Sequence, residues 1–331
     1  MTAVLAWLGA PRAGSGRHVE VAWPTSGDRG EAAAALAAAG VVDHPVLFHL
    51  LLSLSRPLLT PVPGPHFLAD NLTPAEVLRR LSRLSSRARV RVLVPEGFSR
   101  FQVADRLEEL GVCPARGFGV AALDRQALSR LGVAADSAEG YLFPATYDLF
   151  ADAAPAAVVA ELVGEAKKRL AALRARHLAD FARLEQKYGW DERAILTLAS
   201  VVEKEAARFE EQPLIASVFF NRLDDPDFRP ARTLQSDPTA AYGCLVDPSL
   251  ESCLGYTGRV TPAMVRDPLN PYNTYRHPGL PPGPISNPGI RTLEAVLAPA
   301  ATDYLFFVRS GDGRHTFTRT FEQHEAAIGH K

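Results

Sequence analysis

The stretch VEVAWPTSGDRGEAAAALAAAGV at Val19–Val41 realigns with VRVLVPEGFSRFQVADRLEELGV at Val90–Val112, seventy-one residues further along the chain. Each stretch has alternating apolar residues, then a turn with proline and glycine, then a helical pattern that stops at a glycine. This order predicts a strand, a turn and a helix in each copy. The fixed interval indicates a duplicated small α/β module. Chance similarity between two strand–helix units in an alanine-rich chain is the alternative.

The composition around this repeat indicates how the rest of the chain is organised. The repeated region ends near Leu131, and a helix that Thr73 caps is predicted at Thr73–Leu84. We therefore predict an α+β protein with three parts. Residues 1–18 are expected to be a disordered terminus or a residual anchor, residues 19–131 two related modules, and residues 132–331 a separate mixed α+β domain.

The carboxyl-terminal part should be helical first and loop-rich afterwards. Residues 154–188 predict one or two long helices that end at Gly189, and Asp191 is a suitable cap for a further helix through Phe209. Proline, glycine and asparagine are frequent in residues 229–289, and long ordered loops of this kind usually carry a site. Two strands are predicted at residues 304–309 and 315–318, joined by a hairpin turn at Asp312–Gly313.

Charge and cysteine content exclude several classes of protein. The 331 residues include 36 basic and 37 acidic side chains, and 47% of the residues are hydrophobic. A formal net charge of -1 argues against a nucleic-acid partner. The three cysteines do not have the paired spacing of a zinc site, and we expect no metal. Cys244 and Cys253 could close a small loop, but their spacing does not establish a disulfide.

The chain start is apolar but short. Met1–Ala10 reads MTAVLAWLGA, about half of the ~20 residues that a membrane-spanning helix needs. We therefore expect any membrane anchor to be incomplete in this chain. The apolar stretch Val46–Leu54 is also too short to span and is expected to pack as a core helix.

The sequence has none of the common nucleophile, phosphate-binding or dinucleotide-binding motifs. The remaining candidates for a reactive group are carboxylates near polar, aromatic-rich loops. In the helix after Asp191, an apolar stripe places Glu203 and Glu205 on its opposite flanks, with Lys204 pointing outward. A half-buried carboxyl beside such a stripe can stay protonated and act as an acid. Periodicity does not choose between the two glutamates, and an exposed helix flank is the commonest fate of either.

Six motifs in order resemble those of the YceG-like endolytic murein transglycosylases. The central one, LTLASVVEKEA at Leu196–Ala206, is similar to the catalytic helix of that family. The others are EGYLFPATYDL at Glu139, ASVFFNRL at Ala216, LQSDPTAAYG at Leu234, NPYNTYRHPGLPPGPISNPG at Asn270 and HTFTRTFEQH at His315. The repeated front modules resemble LysM-like folds, and residues 132–331 would be a YceG-like catalytic domain.

The resemblance implies a cofactor-free lyase that cuts the bond between N-acetylmuramic acid and N-acetylglucosamine in uncrosslinked peptidoglycan strands, forming 1,6-anhydro ends. It places the acid/base on Glu203, the first glutamate of V-E-K-E. Substrate contacts carry over to Glu139, Asn221, Gln235, Asp237, Asn273 and Tyr275. No role carries over to His324, because EQHE departs there from the family pattern.

The same resemblance implies a location and partners. The location is the periplasmic face of the inner membrane, and the partners are penicillin-binding proteins or other wall-synthesis proteins. Two alternatives stay open: a hydrolase with two carboxylates, and a peptidoglycan-binding scaffold without catalysis.

Overall fold

The computed structural model describes residues 7–10, 18–24, 28–55, 61–82, 89–310 and 313–328. The chain divides into two compact units, Met1–Val90 with Phe150–Asp152, and Arg91–Leu149 with Ala153–Lys331. Helices outnumber strands in both units, and the strands form two-stranded sheets. The predicted mixed α+β class is confirmed.

The first unit pairs two strands and covers them with helices. Its elements are β1 (His18–Trp23), α1 (Arg29–Ala38), α2 (Pro45–Leu54), β2 (Gly64–Ala69) and α3 (Pro74–Leu81). β1 and β2 are antiparallel, with His18 opposite Ala69 and Trp23 opposite Gly64. Large apolar side chains from both strands and the helices form one core: Val21, Trp23, Leu36, Phe48, Leu52, Leu68, Val77 and Leu81.

Local sequence signals explain the helices of this unit. Thr73 caps α3 as predicted, because its hydroxyl accepts a hydrogen bond from the Glu76 N–H at 3.2 Å and Glu76 accepts one from the Thr73 N–H at 3.0 Å. The apolar stretch at Val46–Leu54 forms most of α2. It buries Phe48 and Leu52 in the core and leaves Val46 79% exposed.

The second unit begins with the second copy of the repeat. Its first elements are β3 (Arg89–Leu93, of which Arg89 and Val90 belong to the first unit), α4 (Arg100–Glu109), α5 (Ala115–Ala121), α6 (Arg125–Arg130) and β4 (Thr146–Phe150), and β3 pairs with β4. β1 and β3 begin seventy-one residues apart, and so do α1 and α4. Each copy therefore has the predicted strand and helix, while the turn of the first copy includes residues 25–27, which lie outside the described residues.

Both repeated helices also stop in the same way. Gly40 and Gly111 adopt φ values of 72° and 69°, which favour glycine. The next residue then donates back into the last turn: the Val41 N–H to the Leu36 carbonyl and the Val112 N–H to the Leu107 carbonyl, both at 2.8 Å. The caps Asp28 and Ser99 keep the same interval.

Helices make up most of the remaining second unit. They are α7 (Pro155–Arg176), α8 (Leu178–Tyr188), α9 (Glu192–Glu205), α10 (Gln212–Asp224), α11 (Asp237–Val246), α12 (Pro262–Arg266), α13 (Ile290–Leu297) and α14 (Phe321–Ile328). Gly189 ends α8 with φ 69°, and the Asp191 side chain caps α9 by accepting the Ala194 N–H at 2.8 Å, both as predicted. The prediction that α9 continues to Phe209 is wrong, because the backbone turns extended at Ala206.

The hairpin near the carboxyl end is confirmed. β5 (Phe306–Arg309) pairs antiparallel with β6 (His315–Thr318), with Arg309 opposite His315. Asp312, predicted in its turn, lies outside the described residues. A disulfide joins Cys244 to Cys253 with a Cα–Cα distance of 5.2 Å, and both packed cysteines contact the apolar cluster around Met264.

Among the residues described, none of the helices combines the length and apolarity needed to cross a bilayer. Residues 1–6 of the apolar chain start lie outside the described part.

Candidate active site

The last turn of α9 sends three consecutive side chains to three different parts of the second unit. Glu203 contacts the start of α13, the exposed Lys204 donates to the Gly97 carbonyl at 3.3 Å, and Glu205 contacts the residue before α11. Successive helical residues are about 100° apart, so neighbouring side chains cannot share a direction. The two candidate glutamates therefore lie in different surroundings.

Glu203 is held by the start of α13. Its Oε2 atom accepts the Gly289 N–H at 3.0 Å and the Thr292 hydroxyl in a short hydrogen bond. A second carboxylate is close, since burial raises the pKa of Glu96 and the negative charge of Glu203 raises it further. Glu203 thus attaches α9 to α13.

Glu205 is half-buried and receives the Ser236 hydroxyl on Oε1 at 2.5 Å. Burial raises the pKa of Glu205 from its ordinary value of 4.5 to about 7, and the charge of Asp237 acts in the same direction. The Ser236 hydrogen bond and the Arg222 guanidinium oppose this increase. A carboxyl in this state holds a transferable proton near neutral pH.

Glu205 lines a cavity of about 520 Å³. Polar and aromatic side chains surround it: Lys204, Glu205, Arg222, Gln235, Asp237, Tyr275, Phe306, Phe307, His315, Phe321 and His324. The volume and the mixture of rings with hydrogen-bonding groups suit a saccharide unit.

A second cavity of about 570 Å³ adjoins the first, and Lys204 and Asp237 line both. Its walls are more apolar and include Tyr242, Leu245, Tyr256 and Val260. Tyr256 and Val260 pack on the cluster that contains the disulfide. The Cys244–Cys253 bond therefore holds the segment that forms one wall of the second cavity.

Three of the predicted contact residues meet at the first cavity. Asp237 accepts a hydrogen bond from the Tyr275 hydroxyl at 2.9 Å. Gln235 has a φ of 52°, and its amide donates to the Thr233 hydroxyl at 3.3 Å. The structure thus brings Gln235, Asp237 and Tyr275 together with Glu205, from three segments that are about thirty to forty residues apart in sequence.

Asn221 and Asn273 do not line either cavity and are occupied by backbone groups. The Asn221 amide donates to the carbonyls of Thr302 and Tyr304 at 2.9 Å each. Asn273 is fully buried and donates to the carbonyl of Asp267 at 2.7 Å, with further bonds to the end of α12. Both amides fix loops around the cavities, and their role as substrate contacts stays a prediction.

Glu139 is buried where three segments meet and does not line either cavity. It is 2% exposed and accepts hydrogen bonds from the Arg100 N–H at 2.9 Å, the Tyr242 hydroxyl at 2.8 Å and the Asn287 amide at 2.9 Å. Burial raises the pKa of Glu139 to about 7 despite these donors. The carboxyl joins α4, α11 and the segment before α13 beneath the wall that Tyr242 forms.

Sequence reasoning missed Ser236, Arg222 and His315. Ser236 and Arg222 lie inside two of the quoted motifs, and His315 opens a third, so the motifs contained a signal for all three. His324, which received no role, also lines the first cavity and stacks on Phe306 with a centroid distance of 5.3 Å. Within the described ranges, no group of three His, Cys, Asp or Glu side chains could hold a metal ion.

Comparison with known proteins gives consistent matches. A model of the YceG-like family matches residues 24–330. Among curated relatives, an endolytic murein transglycosylase of Bacillus subtilis (strain 168) is 34% identical over 192 residues, which cover 57% of this chain and 46% of that protein. An endolytic murein transglycosylase of Streptococcus pneumoniae (strain D39) is 29% identical over 193 residues, covering 57% and 31%. The chain thus matches less than half the length of these relatives.

One solved structure is similar along nearly the whole chain. The crystal structure of a yceG-like protein from Listeria monocytogenes superimposes with a TM-score of 0.59 at 25% sequence identity. The similarity covers 94% of this chain and 99% of the other.

Proposed function

This chain belongs to the YceG-like family, and from that membership we propose that it is an endolytic lytic transglycosylase of peptidoglycan. It would cut MurNAc–GlcNAc bonds within nascent glycan strands and leave 1,6-anhydroMurNAc ends. The names of the Bacillus and Streptococcus relatives support this activity. The observation that carries it is a carboxyl with a pKa of about 7 in a saccharide-sized cavity, that of Glu205.

We assign the proton transfer to Glu205 rather than to Glu203. Glu203, the choice from sequence, stays a prediction, but its Oε2 atom already accepts two hydrogen bonds and it lines neither cavity. Glu205 lines the cavity with Asp237 and Tyr275. An acid must reach the proton acceptor directly or through one water, which favours Glu205.

The reaction would need one carboxyl. Protonated Glu205 gives its proton to the glycosidic oxygen as the bond from that oxygen to the muramic C1 breaks. The C6 hydroxyl of the same sugar then bonds to C1 and releases its proton, so that water is not consumed. A hydrolase would instead need a second carboxylate about 5–9.5 Å away. Asp237 lines the same cavity, and this observation keeps the two-carboxylate muramidase as the second candidate.

For the front of the chain we propose two related LysM-like modules in residues 19–131, which would bind glycan, ahead of a catalytic part in residues 132–331. The repeated strand, helix and glycine stop support the relationship between the modules. The second copy lies in the same compact unit as the proposed catalytic residues. A binding scaffold without catalysis would use the modules and leave Glu205 dispensable.

We also propose that the protein acts outside the cytoplasm, at the periplasmic face of the inner membrane, beside penicillin-binding proteins or other wall-synthesis proteins. A peptidoglycan substrate requires that side of the membrane. The Cys244–Cys253 disulfide supports an oxidising compartment.

The test is product analysis in heavy-oxygen water with purified, uncrosslinked glycan strands. Wild type should release anhydro products without solvent oxygen, whereas a hydrolase would label every new reducing end. Glu205→Gln should lower turnover by at least ~10²-fold, and Glu203→Gln should reduce it much less. The reverse order of the two variants would return the acid role to Glu203, and a wild type that binds the strands but releases no products would support the scaffold.

A further inference from the structure

A buried carboxylate–imidazole pair lies beside the first cavity and has no role in the reaction as described so far. Glu211 precedes α10, and His315 begins β6. Glu211 Oε1 accepts the His315 backbone N–H at 2.8 Å, and Glu211 Oε2 lies 2.8 Å from His315 Nδ1. The two side chains are 10% and 6% exposed. One carboxylate therefore fixes both the backbone and the ring of His315.

This arrangement determines the state of the ring nitrogens. A carboxylate only accepts hydrogen bonds, so Nδ1 must carry the hydrogen. In the neutral ring, Nε2 then presents a lone pair. His315 lines the cavity that holds Glu205, and among the described residues Nε2 has no hydrogen-bond partner. Glu211 thus fixes the ring of a cavity-lining side chain and leaves its Nε2 able to accept a proton.

We propose that His315, oriented by Glu211, is a catalytic residue that accepts the proton of the muramic C6 hydroxyl, while Glu205 protonates the leaving oxygen. This inference rests on the proposed function and divides its two proton transfers between two side chains. Glu211 is the positioning residue, since it acts only through His315.

The step balances without any further reactant. The C1–oxygen bond of the glycoside breaks and the C1–O6 bond forms. One proton passes from Glu205 to the departing sugar, and one passes from O6 to Nε2. The site is left with a carboxylate and an imidazolium, and proton exchange with solvent restores the starting state.

Charged and titratable side chains from several elements lie around His315. Glu211 faces it directly from the segment before α10. Further charged or titratable side chains line the same cavity. They are Lys204 and Glu205 on α9, Arg222 on α10, Asp237 on α11, Arg309 on β5, His324 on α14, and Tyr275 in the loop between α12 and α13. The rings of Phe307 and Phe317 fill the remaining contacts, at centroid distances of 5.5 and 6.3 Å.

The experiment compares His315→Gln, Glu211→Gln and a matched control. His177 also has Nδ1 beside a carboxylate, 3.1 Å from Asp180 Oδ2, but lies at the junction of α7 and α8 away from the cavity, so His177→Gln is the control. With glycan strands, His315→Gln should lower turnover by at least ~10²-fold at an unchanged unfolding temperature. Added imidazole should partly restore a His315→Ala variant. Glu211→Gln should lower kcat and leave KM near its wild-type value, because an amide no longer fixes which ring nitrogen of His315 carries the hydrogen.

A folded His315→Gln variant with wild-type turnover would overturn the inference. If His315→Gln does not fold, the kinetics of Glu211→Gln decide, and an unchanged kcat refutes the role. Failure of the proposed function looks different: wild type would then give labelled products, or Glu205→Gln would stay active. A third outcome separates the two proposals. If wild type gives anhydro products and Glu205→Gln is inactive, but His315→Gln keeps wild-type turnover, the proposed function stands and only the role of His315 is refuted.

Discussion

Replacing Gly243 by alanine should destabilise the second unit, although alanine normally favours a helix. Gly243 lies inside α11, next to the side chain of the fully buried Asn270. An ideal Cβ there falls 2.5 Å from Asn270 Cγ and Nδ2 and closer still to Oδ1. The amide must therefore move.

Moving Asn270 breaks two hydrogen bonds of a buried side chain. Its Nδ2 donates to the Ala240 carbonyl at 2.9 Å, and its Oδ1 accepts the Tyr272 N–H at 3.0 Å. Losing both hydrogen bonds lowers the free energy of unfolding by about 4 kcal/mol, and the higher helix propensity of alanine raises it by about 1 kcal/mol. The free energy of unfolding should fall by about 3 kcal/mol, which lowers the unfolding temperature of a unit of this size by roughly 6–12 °C.

The assay is thermal and urea unfolding followed by circular dichroism, with Gly164→Ala as the control. Gly164 lies in α7 with nothing within 4 Å of its ideal Cβ, so the same substitution should raise stability by about 1 kcal/mol. Asn270→Ala placed in the Gly243→Ala background should add little further loss, because the two hydrogen bonds of Asn270 are already broken. Equal or higher stability of Gly243→Ala relative to wild type would refute the reasoning.

Three further predictions concern the protonation of Glu205, the protonation of Glu139 and the Cys244–Cys253 disulfide. Turnover should fall as pH rises through about 7, because Glu205 loses its transferable proton, and a pH–rate profile of wild type checks this. Glu139 binds its proton more tightly when folded than when unfolded, so its contribution to stability should be greatest below pH ~4.5 and fall by up to about 3 kcal/mol as pH rises through 7. Because the raised pKa of Glu205 acts in the same direction, Glu139→Gln should reduce this pH dependence without abolishing it, as measured by urea titrations from pH 4 to 8. Replacing both Cys244 and Cys253 with serine should lower the unfolding free energy by about 2–3 kcal/mol, with no further effect of reductant, whereas reductant should destabilise wild type.

The sequence predicted features that depend on a few neighbouring residues. Asp191 as a cap and Gly189 as a stop are local signals, because a side-chain oxygen and a positive φ act within one turn. The repeated strand–helix pattern is of the same kind. The end of α9 was placed too late since alanine at position 206 favours helix, whereas the backbone there is extended.

The candidate site was harder to predict because its members come from distant segments. Periodicity put Glu203 and Glu205 at opposite edges of one stripe, but the partners that distinguish them lie 31 to 89 residues away, at Ser236 and Thr292. Asn221 and Asn273 have the residue types of sugar-binding amides, yet nearby carbonyls occupy them. Only the folded chain shows which polar side chains have been used internally.

The last turn of α9 has a consequence for how this segment can change over generations. Its three directions are set by position along the helix, so exchanging one side chain leaves the other two in place. Deleting or inserting one residue just upstream would instead rotate all three side chains by about 100° about the helix axis. Lys204 would then occupy the position of Glu203 or of Glu205. Lineages should therefore show no gaps in this turn, and length variation should be confined to loops beyond Ala206.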